Sequence, residues 1–341
     1  MNFYLIGIDY QSAPLEIREE ISLKRKEIFA FWQIRKPKEV AILSTCNRME
    51  IYGLAKDLDA ISKEIVDFKQ GFKGFFENAY IRFGKEEVFK HLLLLSCGLK
   101  SQLVGELQIL QQLKTWSVAE FFPLELSKLL NQVLSLAEGI RRQTGLEQTE
   151  INIANIVFGD LVKRIGIKEK TQIIIIGTGK IAQLIADNRP ENAQLHFISH
   201  RNFSKAQLLA RQSQGVVKTF PELPYLLLTA DVLISATSSP HFVIYEKHFL
   251  KRNSERQQPI YLYDLAIPRD IEPRVGDLPG IFLQNLNDLG PVFEQDNQRR
   301  QSEISLARYL ATEIINSYKD GLDGANYPDG HAAQSAGNKT S

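Results

Sequence analysis

Cys46 is the residue of this sequence best suited to covalent chemistry. It lies in the segment 43–48 (LSTCNR), which predicts a small polar turn at the end of a short apolar strand. The guanidinium of Arg48 would favour the thiolate, which is the reactive form of a cysteine. Composition alone also allows a buried inert thiol. Cys97, inside the apolar segment 92–99 (LLLLSCGL), fits that second description and is predicted to be core.

A glycine pattern between a predicted strand and a predicted helix points to a dinucleotide site. The apolar run 171–176 (TQIIII) leads directly into Gly177-x-Gly179-x-x-Ala182. The first glycine permits a tight turn, the second lets a pyrophosphate approach the backbone, and the small third residue lets helix and strand pack closely. A purely structural turn is the alternative. The predicted cofactor-binding residues here are Gly177, Thr178, Gly179, Lys180, Ile181 and Ala182.

The segment that follows the next predicted strand bears on which cofactor is bound. An NAD enzyme usually offers an acidic residue there to the ribose hydroxyls, but residues 199–205 read SHRNFSK. Arg201 could hold a 2′-phosphate through its planar fork, with Ser199 as an additional donor. The alternative is a solvated basic loop. The pattern favours NADPH over NADH.

Composition restricts the classes of protein to be considered. The 341 residues carry 41 Lys+Arg against 40 Asp+Glu, so no general basic excess indicates nucleic-acid binding. Two cysteines exclude a disulfide framework and favour a reducing compartment. The N-terminus does not resemble a signal peptide, and the apolar runs are far shorter than the roughly 20 residues that cross a bilayer. We therefore expect a soluble, cytoplasmic protein without a metal site.

The spacing of apolar residues predicts an α/β protein with a Rossmann-type domain. Short apolar runs at 3–8, 41–43 and 51–54 alternate with helical periodicity, which is typical of a small α/β or α+β domain. Helical spacing then dominates from about Lys85 to Arg142. Further strand-like runs at 195–198, 232–235 and 261–265 follow the glycine turn at the spacing of repeated βα units, which predicts a doubly wound sheet.

Four segments are predicted along the chain. Residues 1–148 form a catalytic domain, 149–290 an NADP-binding Rossmann domain, 291–320 a spine helix, and 321–341 a disordered tail rich in small and polar residues. The helix carries one apolar stripe, whose members are Ile304, Ala307, Leu310, Ala311, Ile314, Ile315 and Tyr318. Because an exposed stripe of that length is unfavourable in water, we expect it to pack on another part of the chain.

Several motifs in one order resemble the glutamyl-tRNA reductase family. Residues 44–52 (STCNRMEIY) are similar to the family's nucleophile motif, and 98–112 (GLKSQLVGELQILQQ), preceded by His91, to its second block. The segments 7–14, 141–144, 177–182 and 264–270 fall in the same order as further family landmarks. The resemblance covers residues 1 to about 320.

The resemblance implies a reaction and a role for each matching residue. Cys46 would attack the ester of a charged glutamyl-tRNA, and NADPH would reduce the resulting thioester to glutamate-1-semialdehyde, the first step of five-carbon tetrapyrrole biosynthesis. Arg48 would bind the substrate's side-chain carboxylate, and His91 would polarise the carbonyl or assist proton transfer. Without the resemblance, His91 would be assigned to a helix surface. The positions that match the glutamate pocket are Thr45, Asn47, Ser101, Glu106, Leu107, Gln108 and Gln112.

The sequence also departs from the family pattern. Asp9 and Tyr10 replace an amide or hydroxyl and an imidazole, Lys100 stands where the family usually has Asp, and Gln143 where Glu is usual. The family's C-terminal dimerisation domain is not matched, so the resemblance implies a truncated member. We therefore expect a monomer or a weak homodimer, with the downstream semialdehyde aminomutase as a further partner.

Two other functions are compatible with these residues. One is a small-metabolite NADP dehydrogenase, which would not need the cluster around Cys46. The other is a non-catalytic NADP-binding relative that acts through a partner protein. The altered pair Asp9–Tyr10 favours the second, whereas the intact segment Thr45–Arg48 opposes it.

Overall fold

A computed structural model describes residues 2–35, 39–57, 59–117, 123–146, 152–166, 170–199, 202–255 and 258–319. The chain divides into two compact units, which are described separately. The first unit comprises Met1–Ala13, Glu27–Ile151 and Asp296–Ser341, and the second comprises Pro14–Lys26 and Asn152–Gln295.

The elements are numbered in chain order. The strands are β1 (Asn2–Asp9), β2 (Val40–Ser44), β3 (Arg48–Ala55), β4 (Tyr80–Phe83), β5 (Gln172–Ile176), β6 (Gln194–Ile198), β7 (Val216–Lys218), β8 (Val232–Ser235), β9 (Ile260–Asp264) and β10 (Ile281–Asn285). The helices are α1 (Leu15–Leu23), α2 (Arg25–Arg35), α3 (Ser62–Gly71), α4 (Lys73–Glu77), α5 (Lys85–Ser96), α6 (Leu107–Ser117), α7 (Leu124–Thr144), α8 (Ile153–Ile165), α9 (Lys180–Asp187), α10 (Phe203–Gln212), α11 (Leu223–Leu226), α12 (Leu250–Glu255), α13 (Gly290–Arg299) and α14 (Gln301–Lys319).

The first unit is built on a four-stranded antiparallel sheet in the order β2-β3-β1-β4. Because paired residues of antiparallel strands face the same side, the register sets which side chains can meet. Asp9 is opposite Arg48, and Gly7 is opposite Glu50 on β3 and Tyr80 on β4. The sheet therefore places a row of polar residues from three strands on one face.

Helices α5, α7 and α14 pack in one hydrophobic core with residues from this sheet. The C-terminal helix contributes its predicted stripe, since Ile304, Ala307, Ala311 and Ile315 are buried and Leu310, Ile314 and Tyr318 are partly buried against the same core. The expectation that this stripe packs on the chain itself is confirmed. The structure has two consecutive helices, α13 and α14, where the sequence predicts one spine helix.

The second unit contains a six-stranded parallel sheet in the order β10-β9-β8-β5-β6-β7. This is the strand order of the Rossmann fold, with β5 and β8 as the two central strands. Residues Ile173 to Ile176 are buried, as their continuous apolar sequence predicts for a strand covered on both faces. The predicted fold class is therefore confirmed.

Helix α1 belongs to the second unit although it comes before most of the first in sequence. Glu19 accepts hydrogen bonds from the backbone N–H and the guanidinium of Arg269, each at 2.8 Å. Arg18 donates to Asn287 at 2.7 Å. The sequence gives no sign that α1 belongs to the second unit. The predicted boundary at 148/149 lies outside the described residues and stays a prediction, as does the disordered tail 321–341.

None of the helices in the described part of the chain combines the length and the apolar character that crossing a membrane requires.

Candidate functional site

Cys46 lies at the tip of the hairpin that joins β2 to β3. The Thr45 N–H donates to the Arg48 carbonyl oxygen at 2.9 Å, which closes the turn, and the Asn47 N–H donates to Thr45 Oγ1 at 3.2 Å. Cys46 is exposed, whereas Cys97 is buried. Burial raises the pKa of the Cys97 thiol to about 12, so that thiol stays protonated. Of the two cysteines, only Cys46 is accessible to a substrate.

Arg48 begins strand β3, and its side chain is almost completely buried. Its Nη1 lies 2.8 Å from Glu50 Oε1 and 3.9 Å from Asp9 Oδ2, and its Nη2 donates to the Lys100 carbonyl oxygen at 2.6 Å. The guanidinium is thus fixed by a carboxylate on its own strand and by the backbone of the second motif block. Glu50 and Asp9 offset the charge of Arg48. The stabilisation of the Cys46 thiolate by Arg48 stays a prediction.

His91 lies on α5 and is buried rather than at a helix surface. The surface assignment that the residue would receive without the family resemblance is therefore wrong. Its Nε2 is 2.9 Å from Glu50 Oε1. Burial lowers the pKa of the imidazole, although Glu50 acts in the opposite direction. His91 therefore contacts the same carboxylate as Arg48.

The loop between α5 and α6 carries Lys100, Ser101 and Glu106. Ser101 is buried, and its carbonyl oxygen accepts from the Tyr10 hydroxyl at 3.4 Å. Burial raises the pKa of the Glu106 carboxyl, while a hydrogen bond from the Ser101 side chain opposes the shift. Of the predicted pocket residues, the structure thus joins Ser101 to Glu106. The remaining three, Leu107, Gln108 and Gln112, are half-buried on α6.

The backbone of this loop is held by two polar side chains from distant positions. Arg141 on α7 donates to the carbonyl oxygens of Cys97 at 2.9 Å and Gly105 at 2.7 Å. Asn297 on α13 accepts from the Val104 N–H at 3.1 Å and donates to the Gln102 carbonyl oxygen at 3.2 Å. These bonds fix the segment whose Lys100 carbonyl holds Arg48.

In the second unit, the glycine turn lies between β5 and α9 as predicted. Gly177 has φ +118°, and Gly179 directly precedes the first residue of α9, Lys180. Ala182 is buried, and Thr178 and Ile181 are half-buried. The first N–H groups of α9 are therefore available at a helix N-terminus, where a phosphate binds favourably.

The segment assigned to the 2′-phosphate is described only in part. Ser199 directly follows β6, and its Oγ accepts from the Asn202 N–H at 3.1 Å. Arg201 lies outside the described residues, so its role stays a prediction.

Sequence reasoning did not identify Glu50, Tyr52 and Tyr80 as parts of the site. The sequence could have indicated two of them. Glu50 and Tyr52 are two and four residues after Arg48 on β3, and every second residue of a strand lies on the same face. Arg141 lies in the family landmark 141–144, but its bonds to the loop were not predicted, and Asn297 gave no comparable signal, because these bonds join positions far apart in sequence.

Comparison with known proteins gives consistent results for both units. The family model described as the N-terminal domain of glutamyl-tRNAGlu reductase matches residues 6–144, and the model for shikimate / quinate 5-dehydrogenase matches residues 160–292. A glutamyl-tRNA reductase of Bacillus subtilis is 29% identical over 338 residues, covering 95% of this chain and 74% of its own. That of Bacillus cereus is 30% identical, covering 94% and 76%. The solved glutamyl-tRNA reductase of Methanopyrus kandleri is 23% identical, with a TM-score of 0.45 and coverage of 94% and 80%.

Proposed function

Because this chain belongs to the glutamyl-tRNA reductase family, we propose that it reduces the glutamyl ester of tRNA(Glu) to glutamate-1-semialdehyde with NADPH. The observation that carries the proposal is the exposed thiol of Cys46 at the tip of a hairpin whose next strand begins with a fixed guanidinium. A nucleophile and a carboxylate-binding group two residues apart suit an acidic acyl substrate.

In the first step, the Cys46 thiolate attacks the carbonyl carbon of the glutamyl ester. A carbon–sulfur bond forms, the bond to the ribose oxygen breaks, and free tRNA leaves after its oxygen takes up a proton. The thioester that remains on Cys46 accepts hydride more readily than a carboxylate would, so a difficult reduction is divided into two feasible steps. Transfer of hydride to that carbonyl then breaks the carbon–sulfur bond, which releases the aldehyde and regenerates the thiolate.

The neighbouring residues bind and orient the acyl group in this proposal. Arg48 binds the side-chain carboxylate of the glutamyl group, because its hydrogen bonds within the described residues, to Glu50 and Lys100, use two of its five N–H donors. Thr45 and Asn47 flank the thiol in the same turn. The pocket is completed by Ser101, Glu106, Leu107, Gln108 and Gln112. His91 contacts Glu50, the carboxylate that also holds Arg48.

The residues of the glycine turn fit a nicotinamide dinucleotide. An added Cβ at Gly177 would lie 2.5 Å from the Ala236 carbonyl oxygen, so this position requires glycine to make the turn. At Gly179 an added Cβ meets no atom within 4 Å among the described residues. The backbone from Gly177 to Ala182 would hold the pyrophosphate, and Ser199 and Arg201 the 2′-phosphate. When bound, NADPH supplies the hydride for the reduction.

Incubation with glutamyl-tRNA and NADPH, followed by assay of the semialdehyde, tests the proposal. We expect one NADPH oxidised for each semialdehyde formed, no product with uncharged tRNA, and loss of activity after alkylation of Cys46. A small-metabolite dehydrogenase would oxidise NADPH with another substrate and would keep its activity after alkylation of Cys46. A non-catalytic relative would bind NADPH without turnover. Either result would refute the proposed reaction.

The cofactor preference has its own test. Since Arg201 is proposed to bind the 2′-phosphate, Arg201→Ala should weaken NADPH binding by roughly tenfold or more and leave NADH binding nearly unchanged. Equal losses for both cofactors would show that Arg201 does not recognise the phosphate. The proposed partners are the charged tRNA and the downstream semialdehyde aminomutase, and the proposed assembly is a monomer or weak homodimer.

A further inference from the structure

Glu50 is the centre of a buried cluster of polar side chains. Its carboxylate is fully buried and faces four donors. Oε1 lies 2.8 Å from Arg48 Nη1, 2.6 Å from the Tyr80 hydroxyl and 2.9 Å from His91 Nε2, and Oε2 accepts from the Tyr52 hydroxyl at 2.5 Å. A carboxylate with so many protein donors and no exposure has no access to a substrate. Its influence on a reaction must pass through these neighbours.

The sheet makes room for this cluster by a glycine. Gly7 is opposite both Glu50 and Tyr80 in the register of three adjacent strands. A Cβ at Gly7 would lie 2.8 Å from Glu50 Cγ and 3.1 Å from the Tyr80 ring. A side chain at position 7 would therefore displace Glu50 and crowd Tyr80, whereas glycine leaves room for both above β1. The strand register and Gly7 together allow the hydrogen bond between Tyr80 and Glu50.

Glu50 is ionised in the folded protein. Burial alone would raise the pKa of its carboxyl, but His91, Arg48 and Tyr52, which face it, hold that pKa well below its usual range. An ionised carboxylate only accepts hydrogen bonds, so Nε2 of His91 carries the proton that points towards Glu50. Nε2 of His91 is therefore committed to Glu50 rather than to a substrate carbonyl.

Arg48 connects the cluster to the loop between α5 and α6. Its Nη1 contacts Glu50, and its Nη2 contacts the Lys100 carbonyl oxygen. Two contacts on different nitrogens of a planar group fix both its position and the direction of its plane. A guanidinium plane that is fixed in this way is what binding a carboxylate through two parallel bonds requires.

We propose that Glu50 is a positioning residue that sets the plane of the Arg48 guanidinium for the substrate's side-chain carboxylate, and that His91, Tyr52 and Tyr80 act by holding Glu50. The inference rests on the proposed function, since it assigns to Arg48 the binding of a glutamyl group. It gives His91 a different role from direct proton transfer to the carbonyl.

Steady-state kinetics of four variants separate the two roles of His91. Loss of positioning weakens the binding of ground state and transition state alike, so Glu50→Gln should raise KM for glutamyl-tRNA by roughly tenfold or more and change kcat by less than about threefold. His91→Asn, Tyr80→Phe and Tyr52→Phe each remove one donor to Glu50 and should raise KM by smaller factors. If His91→Asn instead lowers kcat strongly while Tyr80→Phe behaves like the parent, His91 acts on the carbonyl and the proposal is wrong.

Two further measurements exclude a merely structural effect. Thermal unfolding of each variant shows whether the assay temperature lies below its transition, and the rate of Cys46 alkylation shows whether the hairpin is intact. A purely structural Glu50 would change the melting temperature but leave KM at the parent value in the folded protein. That outcome would overturn the proposal.

The role of His91 can also be tested without turnover. Nitrogen-15 NMR of histidine-labelled protein, with His91→Asn to assign the signal, should show a neutral ring protonated at Nε2 at about pH 7. A neutral ring protonated at Nδ1 alone would refute the contact with Glu50, because its Nε2 could not donate to the carboxylate. If the parent enzyme forms no semialdehyde, the proposed function fails, and this measurement still decides whether Glu50 holds His91.

Discussion

The backbone at Gly177 lies so close to that of Ala236 that an added Cβ would be 2.5 Å from the Ala236 carbonyl oxygen. Gly177 also has φ +118°, which side chains of L residues rarely adopt. Gly177→Ala should therefore lower the free energy of unfolding by roughly 2 kcal/mol or more. Urea denaturation monitored by fluorescence measures the change. A variant as stable as the parent would contradict this geometry.

Gly179 provides the matched comparison. An added Cβ there meets no atom within 4 Å in the described part of the protein, and its φ of −82° is open to any residue. Gly179→Ala should leave stability within about 0.5 kcal/mol of the parent. It should weaken NADPH binding by roughly tenfold or more, because the pyrophosphate needs a close approach to this backbone. Unchanged binding would place the cofactor elsewhere.

The two cysteines are expected to behave in opposite ways. Cys46→Ser should reduce semialdehyde formation by about a thousandfold or more, because a serine hydroxyl at this position lacks the nucleophilicity of a thiolate. Cys97→Ser should stay active, since Cys97 is a buried thiol with a raised pKa. Mass spectrometry after brief iodoacetamide treatment should find the label on Cys46 alone. Activity of Cys46→Ser within about tenfold of the parent would exclude the thioester mechanism.

The central strands of the parallel sheet were predictable from sequence because burial on both faces requires a continuous apolar run. Strands β5, β6, β8 and β9 lie within one residue of their predicted bounds. Strands β4, β7 and β10 were not predicted. All three are edge strands with mixed burial patterns, and none contains the continuous apolar run that predicts a strand buried on both faces.

The nucleophile and the glycine turn were recognisable because each is a short local pattern. The cluster around Glu50 was not, because it depends on contacts between positions far apart. His91 reaches Glu50 across 41 positions, and Arg48 reaches the Lys100 carbonyl across 52. Which side chain meets which is set by strand register and helix packing, and neither is visible in one segment. The same reason hides the place of α1 in the second unit.

Asp264 makes the stability of the second unit depend on pH. Burial, together with the nearby Asp270, raises the pKa of its carboxyl to about 7, although the Ile271 N–H donates to it at 2.8 Å. Between about pH 4 and pH 7 the folded state then binds more protons than the unfolded state, so stability falls as pH rises through that window. The contribution is complete below about pH 4 and lost above about pH 7.

Asp264→Asn should remove this dependence. The difference in unfolding free energy between parent and variant should change by up to about 1.4 kcal/mol for each pH unit in that window, and denaturation at a series of pH values measures it. Other groups titrate in both proteins and cancel in the difference. The exposed Asp187, changed to Asn, is the control. A difference that stays constant with pH would show that Asp264 is ionised in the folded protein.

The packing of α14 leads to a prediction about assembly. Ala307 and Ala311 are fully buried against the core that contains α5 and α7, and the ring of Tyr318 stacks on Phe89 with centroids 3.8 Å apart. The apolar stripe is thus covered within one chain. The opposite side carries Leu306 and Tyr309, which are 45% and 60% exposed. Since the stripe is not available to a second copy, we expect a monomer or at most a weak dimer.

Glutamate substitutions on the two sides of α14 should therefore have different effects. Ala311→Glu places an unpaired charge in the core and should lower the unfolding free energy by about 3 kcal/mol or more, whereas Tyr309→Glu should change it by less than about 0.5 kcal/mol. Sedimentation equilibrium at low micromolar concentration should give a mass of 38.8 kDa for the parent and for Tyr309→Glu. A dimer mass in the parent that Tyr309→Glu abolishes would show that the exposed side of this helix is an interface between two copies.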